Sequence, residues 1–228
     1  MRYRVHGDFD SDSFLTTGQA VFQDLQNLVS IYDQPPCRQL RVLDFGCGCA
    51  RTLRHRIAKH NNWSITGVDT DIETIEWNRR VFPNLASWIY GVKAPPLTIP
   101  AQSFDLIVAV SVFTHLDENL QDQWLRELRR LLSPGGLIII SIHGEFIWSK
   151  NADWCPQLKK YGFLYAKTNL GIRNFSAMPA YYQTALHSKS YVLKHWSSQF
   201  RILSYRERGM NNYQDVVVMK KNQHYPAF

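Results

Sequence analysis

The stretch RVLDFGCGCARTL, residues 41–53, joins a short apolar segment to a loop that contains two glycines. An apolar run that ends in glycines is typical of a buried strand turning sharply, and glycine lets the backbone come close to a ligand. The acidic Asp44 stands two residues before Gly46, which favours a cationic ligand over a phosphate. Arg51 occupies the place of the last glycine in the dinucleotide pattern G-x-G-x-x-G, so a pyrophosphate cradle is not favoured.

Two cysteines in the same loop, Cys47 and Cys49, raise the alternative of a metal or redox site. Their C-x-C spacing has no matching C-x-x-C or H-x-x-x-H pair elsewhere, and Cys37 and Cys155 stand alone. The sequence therefore predicts no metal, and it leaves the loop as a cofactor cradle or a tight turn without chemistry.

Composition places the chain among globular proteins of one domain or one domain with an elaboration. It has 228 residues, of which 45% are hydrophobic and 13% aromatic. No run approaches the roughly 20 apolar residues that span a bilayer, and the N-terminus lacks the apolar part of a signal peptide. We therefore expect a cytoplasmic protein without a membrane partner. The net charge of +7 permits attraction to nucleic acid or to an acidic substrate, but the basic residues are dispersed.

Strand and helix patterns alternate along the middle of the chain. This alternation predicts a mostly parallel sheet covered on both faces by helices. Predicted strands cover residues 41–45, 64–69, 104–112 and 137–142, with helices over 50–60, 71–82 and 119–132. Two closing strands, RILSYRERG and DVVVMKK, are predicted to form a hairpin because the turn between them is too short for a crossover helix.

The two ends of this region depart from the alternation. The apolar spacing at positions 21, 22, 25, 28 and 29 predicts a helix over residues 11–31, before the prolines of residues 35–36. Residues 144–200 are aromatic and irregular, with one helix predicted over 190–200. We interpret 1–36 as a helical lid segment, 37–228 as the main domain and 144–200 as a cap over the substrate.

Asp69 ends the second predicted strand, 21 residues after Gly48. A carboxylate at about that distance from a glycine loop can accept both hydroxyls of a ribose. The alternative is an N-cap for the following helix, for which Thr70 or Asp71 would serve.

Four motifs, taken in order and spacing, resemble the class I S-adenosylmethionine-dependent methyltransferases of the small-molecule type. They are VLDFGCGCAR, GVDTD, FDLIVAVSVFTHLD and LRELRRLLSPGGLIIISIHG, and they cover about residues 40–143. The resemblance implies a Rossmann-like, doubly wound α/β fold with a seven-stranded, mostly parallel sheet and an antiparallel last strand. It also implies S-adenosyl-L-methionine as cofactor and S-adenosyl-L-homocysteine as product.

The same resemblance implies which residues meet the cofactor. The glycine loop would face the methionine part, Asp69 the ribose, Thr70 the adenine, and the end of the strand at 104–112 the sulfonium. Gly91, Val92 and Lys93 stand where such enzymes often have an acidic residue, so adenine contact is expected from backbone and apolar groups. The expected cofactor-binding residues are Asp44, Phe45, Gly46, Cys47, Gly48, Arg51, Asp69, Thr70, Val92, Val110 and Ser111.

Candidates for the reaction itself are histidines, because imidazole titrates near neutral pH. His143, His115 and His187 are the expected catalytic residues, with a structural role as the alternative for each. The expected substrate-binding residues are Phe14, Glu145, Tyr181 and Tyr182.

The predicted function is methyl transfer by in-line displacement to an O or N atom of a small organic acceptor, of acidic or aromatic character. A tRNA or rRNA methyltransferase is the first alternative, favoured by the charge and disfavoured by the missing Asn/Asp-Pro-Pro-aromatic motif. A non-catalytic, cofactor-binding partner protein is the second. The motifs do not specify the oligomeric state.

Overall fold

The computed structural model describes residues 10–32, 39–58, 62–166 and 183–221. A seven-stranded sheet forms its centre, in the order β3-β2-β1-β4-β5-β9-β8. The strands are β1 (Leu40–Phe45), β2 (Trp63–Asp69), β3 (Ser87–Tyr90), β4 (Phe104–Ala109), β5 (Leu132–Ile142), β8 (Phe200–Met210) and β9 (Gln214–Lys221), while β6 (Phe163–Ala166) and β7 (Thr184–His187) form a separate pair.

Strands β1 to β5 pair in parallel, and β9 runs antiparallel to both β5 and β8. This arrangement confirms the predicted fold class, including the closing hairpin. β1 pairs with β2 on one side and with β4 on the other, so the strand order reverses there. In sheets of this kind, ligands bind outside the carboxyl ends of the strands at that point.

Six α-helices and one 3₁₀ helix are present in the described ranges. They are α1 (Ser11–Tyr32), the 3₁₀ helix Leu53–Ala58, α2 (Ile72–Val81), α3 (Glu118–Leu131), α4 (Glu145–Trp148), α5 (Cys155–Tyr161) and α6 (Lys189–Trp196). The buried stripe of α1 includes the apolar positions whose spacing predicted it. Whether α1 acts as a lid stays a prediction, and the predicted boundary at residue 36 lies outside the described ranges.

Side chains from the sheet pack into two hydrophobic clusters, one on each face. Val42 and Leu43 are adjacent in β1 and belong to different clusters, as strand alternation requires. Leu25 of α1 packs in the first cluster, while Trp124 of α3 and Trp196 of α6 pack in the second. Both faces of the sheet are therefore covered, and the carboxyl ends of the strands are available for a binding site.

The α-helix predicted over residues 50–60 was wrong in type. Ala50 adopts a left-handed backbone with φ of 55°, and the chain then makes a turn before the 3₁₀ helix. The Cys49 carbonyl accepts a hydrogen bond from the Arg54 side chain, and the Ala50 carbonyl accepts one from the Arg54 backbone amide at 3.1 Å. The α-helical path is therefore interrupted where the chain leaves the glycine loop.

Other boundaries differ less. The short, partly exposed β3 was not predicted, and β5 begins at Leu132 immediately after α3, so that the SPGG segment lies within the strand. The helix predicted over 190–200 is shorter, because α6 ends at Trp196. Within the described part of the chain, no helix is long and apolar enough to cross a membrane.

Candidate functional site

A cavity of about 520 Å³ opens at the carboxyl ends of β1, β2 and β4. Its size is within the range of sites for cofactors and other small ligands. It includes every residue predicted to bind the cofactor except Val92. The lining residues are Asp44, Phe45, Gly46, Cys47, Gly48, Arg51, Thr52, Val68, Asp69, Thr70, Asp71, Ile72, Glu73, Thr74, Val110, Ser111, Val112, His115 and Leu116.

The glycine loop after β1 has a backbone that other residues would not adopt easily. Gly46 has φ of 78° and Gly48 has φ of 50°. A Cβ atom at Gly46 would collide with the Val112 side chain across the cavity floor. The backbone amides of Gly46 and Cys47 donate to the Val68 carbonyl at 2.8 and 3.0 Å. These bonds hold the loop against β2, with no side chain between backbone and cavity at the glycines.

Asp69 and Asp71 divide the two roles that the sequence left open. The Asp69 carboxylate accepts from the Gly48 amide at 2.8 Å and from the Asp71 amide at 2.9 Å. Asp71 is the N-cap of α2 and accepts from the amides of Glu73 and Thr74. Capping is thus performed by Asp71, and Asp69 is oriented beside the glycine loop within the cavity lining.

Asp44 is the other buried carboxylate of the cavity. It is 7% exposed, and burial together with the nearby charge of Asp69 raises its pKa to about 7. Within the described ranges, no protein group donates a hydrogen bond to it. Burial and the same two carboxylates raise the pKa of the Cys47 thiol, which stays protonated. A buried carboxylate without a donor fits a cationic ligand group, such as the ammonium of a methionine moiety.

Of the three predicted catalytic histidines, His115 lines the cavity and His143 and His187 do not. His115 lines it, and its Nδ1 lies 2.8 Å from the Gln183 carbonyl oxygen. The His143 ring is 6.3 Å from that of His115 between centroids and lies outside the lining. Burial lowers the pKa of His115 to about 4 and that of His143 to about 3. Both rings are therefore neutral at pH 7.

His187 is a core residue. It is completely buried, packs against the rings of Phe163 and Trp196, and its Nε2 lies 2.9 Å from Gln121 Oε1. Burial lowers its pKa to about 3. Its location is inconsistent with the expected catalytic role, because packed aromatic side chains surround it and it does not reach the cavity lining.

A polar network that sequence reasoning missed lies beneath the cavity floor. Ser111, which has φ of 59°, donates its amide to Ser141 Oγ at 2.8 Å. Gln214 Oε1 accepts from Ser141 Oγ at 2.7 Å, and Gln214 Nε2 donates to Ser111 Oγ at 2.9 Å and lies 3.5 Å from His143 Nε2. These residues come from the ends of β4, β5 and β9, and no local motif marks Ser141 or Gln214.

The remaining predicted residues are dispersed. Val92 is 46% exposed and lies outside the cavity lining, so the structure does not support its expected adenine contact. Phe14 is 3% exposed and packs beneath the Arg54 guanidinium, and Glu145 is exposed at the start of α4. Neither lines the cavity. Tyr181 and Tyr182 lie outside the described residues.

Cys47 and Cys49 are buried free thiols. Across residues 10–32, 39–58, 62–166 and 183–221, no three His, Cys, Asp or Glu side chains are grouped as metal ligands would be. Cys37, the other upstream cysteine of the sequence, lies outside these ranges.

Residues 43–138 match a family model described as a methyltransferase domain. Among curated relatives, the chain is 28% identical over 161 residues to the cyclopropane-fatty-acyl-phospholipid synthase of Escherichia coli, covering 67% of this chain and 41% of that one. It is 24% identical to norajmaline N-methyltransferase of Rauvolfia serpentina (54% and 43% covered) and 24% identical to a tRNA N(3)-cytidine methyltransferase of Gallus gallus (53% and 35%). The chain spans less than half the length of each of these relatives.

Solved structures share the fold over nearly the whole chain. A protein from Pyrococcus horikoshii has a TM-score of 0.66 at 19% identity, covering 96% of this chain and 98% of that one. An S-adenosylmethionine-dependent methyltransferase from Methanosarcina mazei has a TM-score of 0.64 at 20% identity, with 86% and 98% covered. A Burkholderia thailandensis 1,6-didemethyltoxoflavin N1-methyltransferase, solved with S-adenosylhomocysteine, has a TM-score of 0.58 at 14% identity, with 92% and 85% covered.

The matched domain begins at Leu43, within β1, and extends into β5, so it contains both the glycine loop and Asp69. Its central strands are those whose carboxyl ends form the cavity. Residues 43–138 therefore match a methyltransferase domain, and the chain has the same fold as S-adenosylmethionine-dependent methyltransferases of known structure.

Proposed function

We propose that this chain transfers a methyl group from S-adenosylmethionine to an O or N atom of a small organic acceptor. The observation that carries the proposal is the division of the cavity into two chemically different parts. One part has the glycine loop and the carboxylates of Asp44 and Asp69, while the other has the uncharged residues 110–112, His115 and Leu116. The first part suits a charged nucleoside cofactor, and the second suits a small, uncharged reacting group.

In the cofactor part, Asp44 would bind the ammonium of the methionine moiety, because that carboxylate is buried and accepts no hydrogen bond from any group in the described ranges. Asp69 would accept the ribose hydroxyls, since backbone amides, including those of Gly48 and Asp71, fix its orientation and leave further lone pairs available. The bare backbone at Gly46 and Gly48 permits the close approach that such a ligand needs. The bound cofactor supplies a methyl group activated by its sulfonium.

In the acceptor part, the chain has to align the nucleophile and remove water. Transfer forms one O–C or N–C bond and breaks the S–C bond, and the acceptor gives up a proton if its OH or NH is the nucleophile. His115 donates Nδ1–H to the Gln183 carbonyl, so its Nε2 acts as an acceptor. Because burial lowers its pKa to about 4, His115 would orient the acceptor's proton and take it up only as the new bond forms. Alignment at this floor supplies most of the rate enhancement that the protein itself contributes.

A tRNA or rRNA acceptor is the second candidate. The net charge of +7 and the similarity to a tRNA N(3)-cytidine methyltransferase favour it. The small-molecule acceptor ranks first because the described residues that line the acceptor part, 110–112, His115 and Leu116, are apolar or neutral and include no cationic side chain.

The test has two steps on the purified chain. Isothermal titration calorimetry with S-adenosylmethionine and S-adenosylhomocysteine measures cofactor binding, and lack of binding by the wild type would refute the proposal. Radiolabelled methyl transfer is then measured in parallel on fractionated small-molecule extract and on bulk tRNA and rRNA. Label in the small-molecule fraction supports the first candidate, and label only in RNA supports the second. His115→Gln should lower kcat for the identified acceptor and leave the dissociation constant of S-adenosylhomocysteine within about twofold.

A further inference from the structure

The side chain of Arg54 is bound to the backbone of the cofactor loop. Its Nη2 donates to the Cys49 carbonyl at 2.8 Å, and its Nε donates to the Ala50 carbonyl at 3.1 Å. Ala50, with φ of 55°, is where the loop leaves the cavity. The guanidinium therefore fixes the far end of the loop whose near end contains Gly46 and Gly48.

The same guanidinium lies against three aromatic rings. Its Cζ is 5.1 Å from the ring centroid of Phe14, 5.3 Å from that of Phe82 and 5.7 Å from that of Trp77. Trp77 and Phe82 also contact each other edge to face, with centroids 5.4 Å apart. Guanidinium groups are attracted to aromatic faces at such distances, and more strongly when water is excluded. Phe14 is 3% exposed and belongs to α1, whereas the other two rings lie at the end of α2.

α1 packs directly on the loop next to this contact. A methyl group at Gly18 would collide with the Arg51 carbonyl oxygen, so the helix and the loop backbone touch there. Arg51 itself lines the cavity. At the other side of the site, Asp24 of α1 accepts from the Asn211 amide in the β8–β9 turn at 2.7 Å. α1 thus bridges two loops at the carboxyl end of the sheet, and Arg54 connects one of them to Phe14.

We propose that Arg54 is a positioning residue that couples cofactor binding to the docking of α1. One group satisfies the loop carbonyls and also provides the cation on which Phe14 packs. If the contact between Phe14 and Arg54 is lost, the Arg54 guanidinium is no longer held against α1. If the carbonyls of the loop move, the guanidinium bound to them moves as well, and with it the surface on which Phe14 packs. The inference rests on the proposed function, because it assumes that this loop binds S-adenosylmethionine.

Coupling between two binding events is reciprocal. If docked α1 favours the loop arrangement that binds cofactor, then bound cofactor must stabilise docked α1 by the same factor. The wild type should therefore show slower amide hydrogen exchange in α1 when S-adenosylhomocysteine is added, although Phe14 does not line the cavity.

Two substitutions and one control separate this coupling from a general loss of stability. Arg54→Lys keeps the charge but lacks the planar fork that reaches two carbonyls, and Phe14→Leu keeps an apolar side chain but removes the aromatic face. Arg56→Lys is the matched control, because Arg56 is in the same 3₁₀ helix and donates to the carbonyls of Trp63 and Leu85. Each variant is examined by calorimetry with S-adenosylhomocysteine, by exchange of the α1 amides with and without that ligand, and by thermal unfolding.

We expect Arg54→Lys to raise the dissociation constant at least about fivefold, and Phe14→Leu to raise it about threefold or more. In both variants the ligand should no longer slow exchange in α1, whereas Arg56→Lys should behave as the wild type within about twofold. Thermal unfolding shows whether a variant has simply lost stability, and a stable Arg54→Lys variant with wild-type affinity overturns the coupling. Wild-type binding without any change in α1 exchange also overturns it. Absence of binding by the wild type would instead overturn the proposed function, and the coupling with it.

Discussion

Replacing Asp44 by asparagine should stabilise the ligand-free protein above pH 7 and at the same time weaken its affinity for S-adenosylhomocysteine. Asp44 is buried beside Asp69 and accepts no hydrogen bond from the described protein groups, so its charge is unfavourable in the ligand-free fold. Asparagine has nearly the same shape and no charge. The substitution therefore separates the electrostatic effect from packing.

The magnitude follows from the shift in the Asp44 pKa, which is about 7 in the folded chain against a usual 3.8. Between these pH values the folded state binds more protons than the unfolded state, so the free energy of unfolding decreases as pH rises. At 1.36 kcal/mol per pH unit, the carboxylate costs about 4 kcal/mol once pH exceeds 7. The difference in unfolding free energy between Asp44→Asn and the wild type should be near zero at pH 4 and grow to about 4 kcal/mol at pH 8.

Bound S-adenosylhomocysteine should make the negative charge of Asp44 favourable. A hydrogen bond to a charged group contributes about 1.5–3 kcal/mol, so loss of the Asp44–ammonium contact should raise the dissociation constant about 10- to 100-fold at pH 8. In the wild type, affinity should fall as pH is lowered from 8 to 6, because Asp44 then takes up a proton. In Asp44→Asn the affinity should be nearly constant over that range.

Urea unfolding at pH 5, 6, 7 and 8 measures the first effect, and calorimetry with S-adenosylhomocysteine measures the second. Glu76→Gln is the control for loss of one negative charge, because Glu76 is exposed on α2 and does not line the cavity. A stability difference that stays constant with pH would refute the reasoning about Asp44. Equal affinities of Asp44→Asn and wild type at pH 8 would refute its assignment to the ammonium.

Three other predictions concern the site and the core. Asp69→Asn should raise the dissociation constant of S-adenosylhomocysteine, measured by calorimetry, about 10- to 100-fold, whereas Glu76→Gln should leave it unchanged. Equal dissociation constants for these two variants would contradict the assignment of Asp69 to the ribose. Gly46→Ala should abolish cofactor binding and destabilise the fold more than Gly135→Ala, because both glycines have positive φ but only a Cβ at Gly46 would collide with a side chain. Gly135→Ala should lower the free energy of unfolding in urea by about 1–2 kcal/mol. A similar decrease for both variants would argue against the collision at Gly46. Because the pKa of His187 is about 3 in the folded chain, the unfolded state binds more protons below pH 6.5, and the free energy of unfolding should fall on acidification. His187→Gln should reduce the slope of unfolding free energy against pH by about 1.4 kcal/mol per pH unit between pH 6 and 4. Equal slopes for the variant and the wild type would show that His187 is not buried in its neutral form.

The parts of the site that are predictable from sequence are local. Asp44, Gly46 and Gly48 lie within five residues, so their relative positions follow from one strand end and one turn. Asp69 closes the next strand, and parallel neighbours place their carboxyl ends at the same edge. The alternation of strands and helices was sufficient to predict the mostly parallel sheet, whereas the assignment of these residues to a cofactor site followed from the resemblance to the class I methyltransferases.

The interruption at Ala50 was not predictable in the same way. Residues 50–60 have the composition of an exposed helix, but Ala50 has a positive φ, and the Arg54 side chain donates to the Cys49 and Ala50 carbonyls while it packs against rings from α1 and the end of α2. Those rings come from segments far along the chain. Their contribution appears only when the three segments pack together.

The sequence by itself determined the class of fold, the glycine loop and the two carboxylates beside it, because periodicity and strand-end spacing are short-range properties. Tertiary structure alone decided which histidine faces the cavity and which is buried. His115 and His187 look alike in sequence, yet one lines the cavity and the other is enclosed by Phe163 and Trp196. Burial is set by neighbours from distant strands and helices, and the pKa of each group follows from that burial rather than from the residues beside it in the chain.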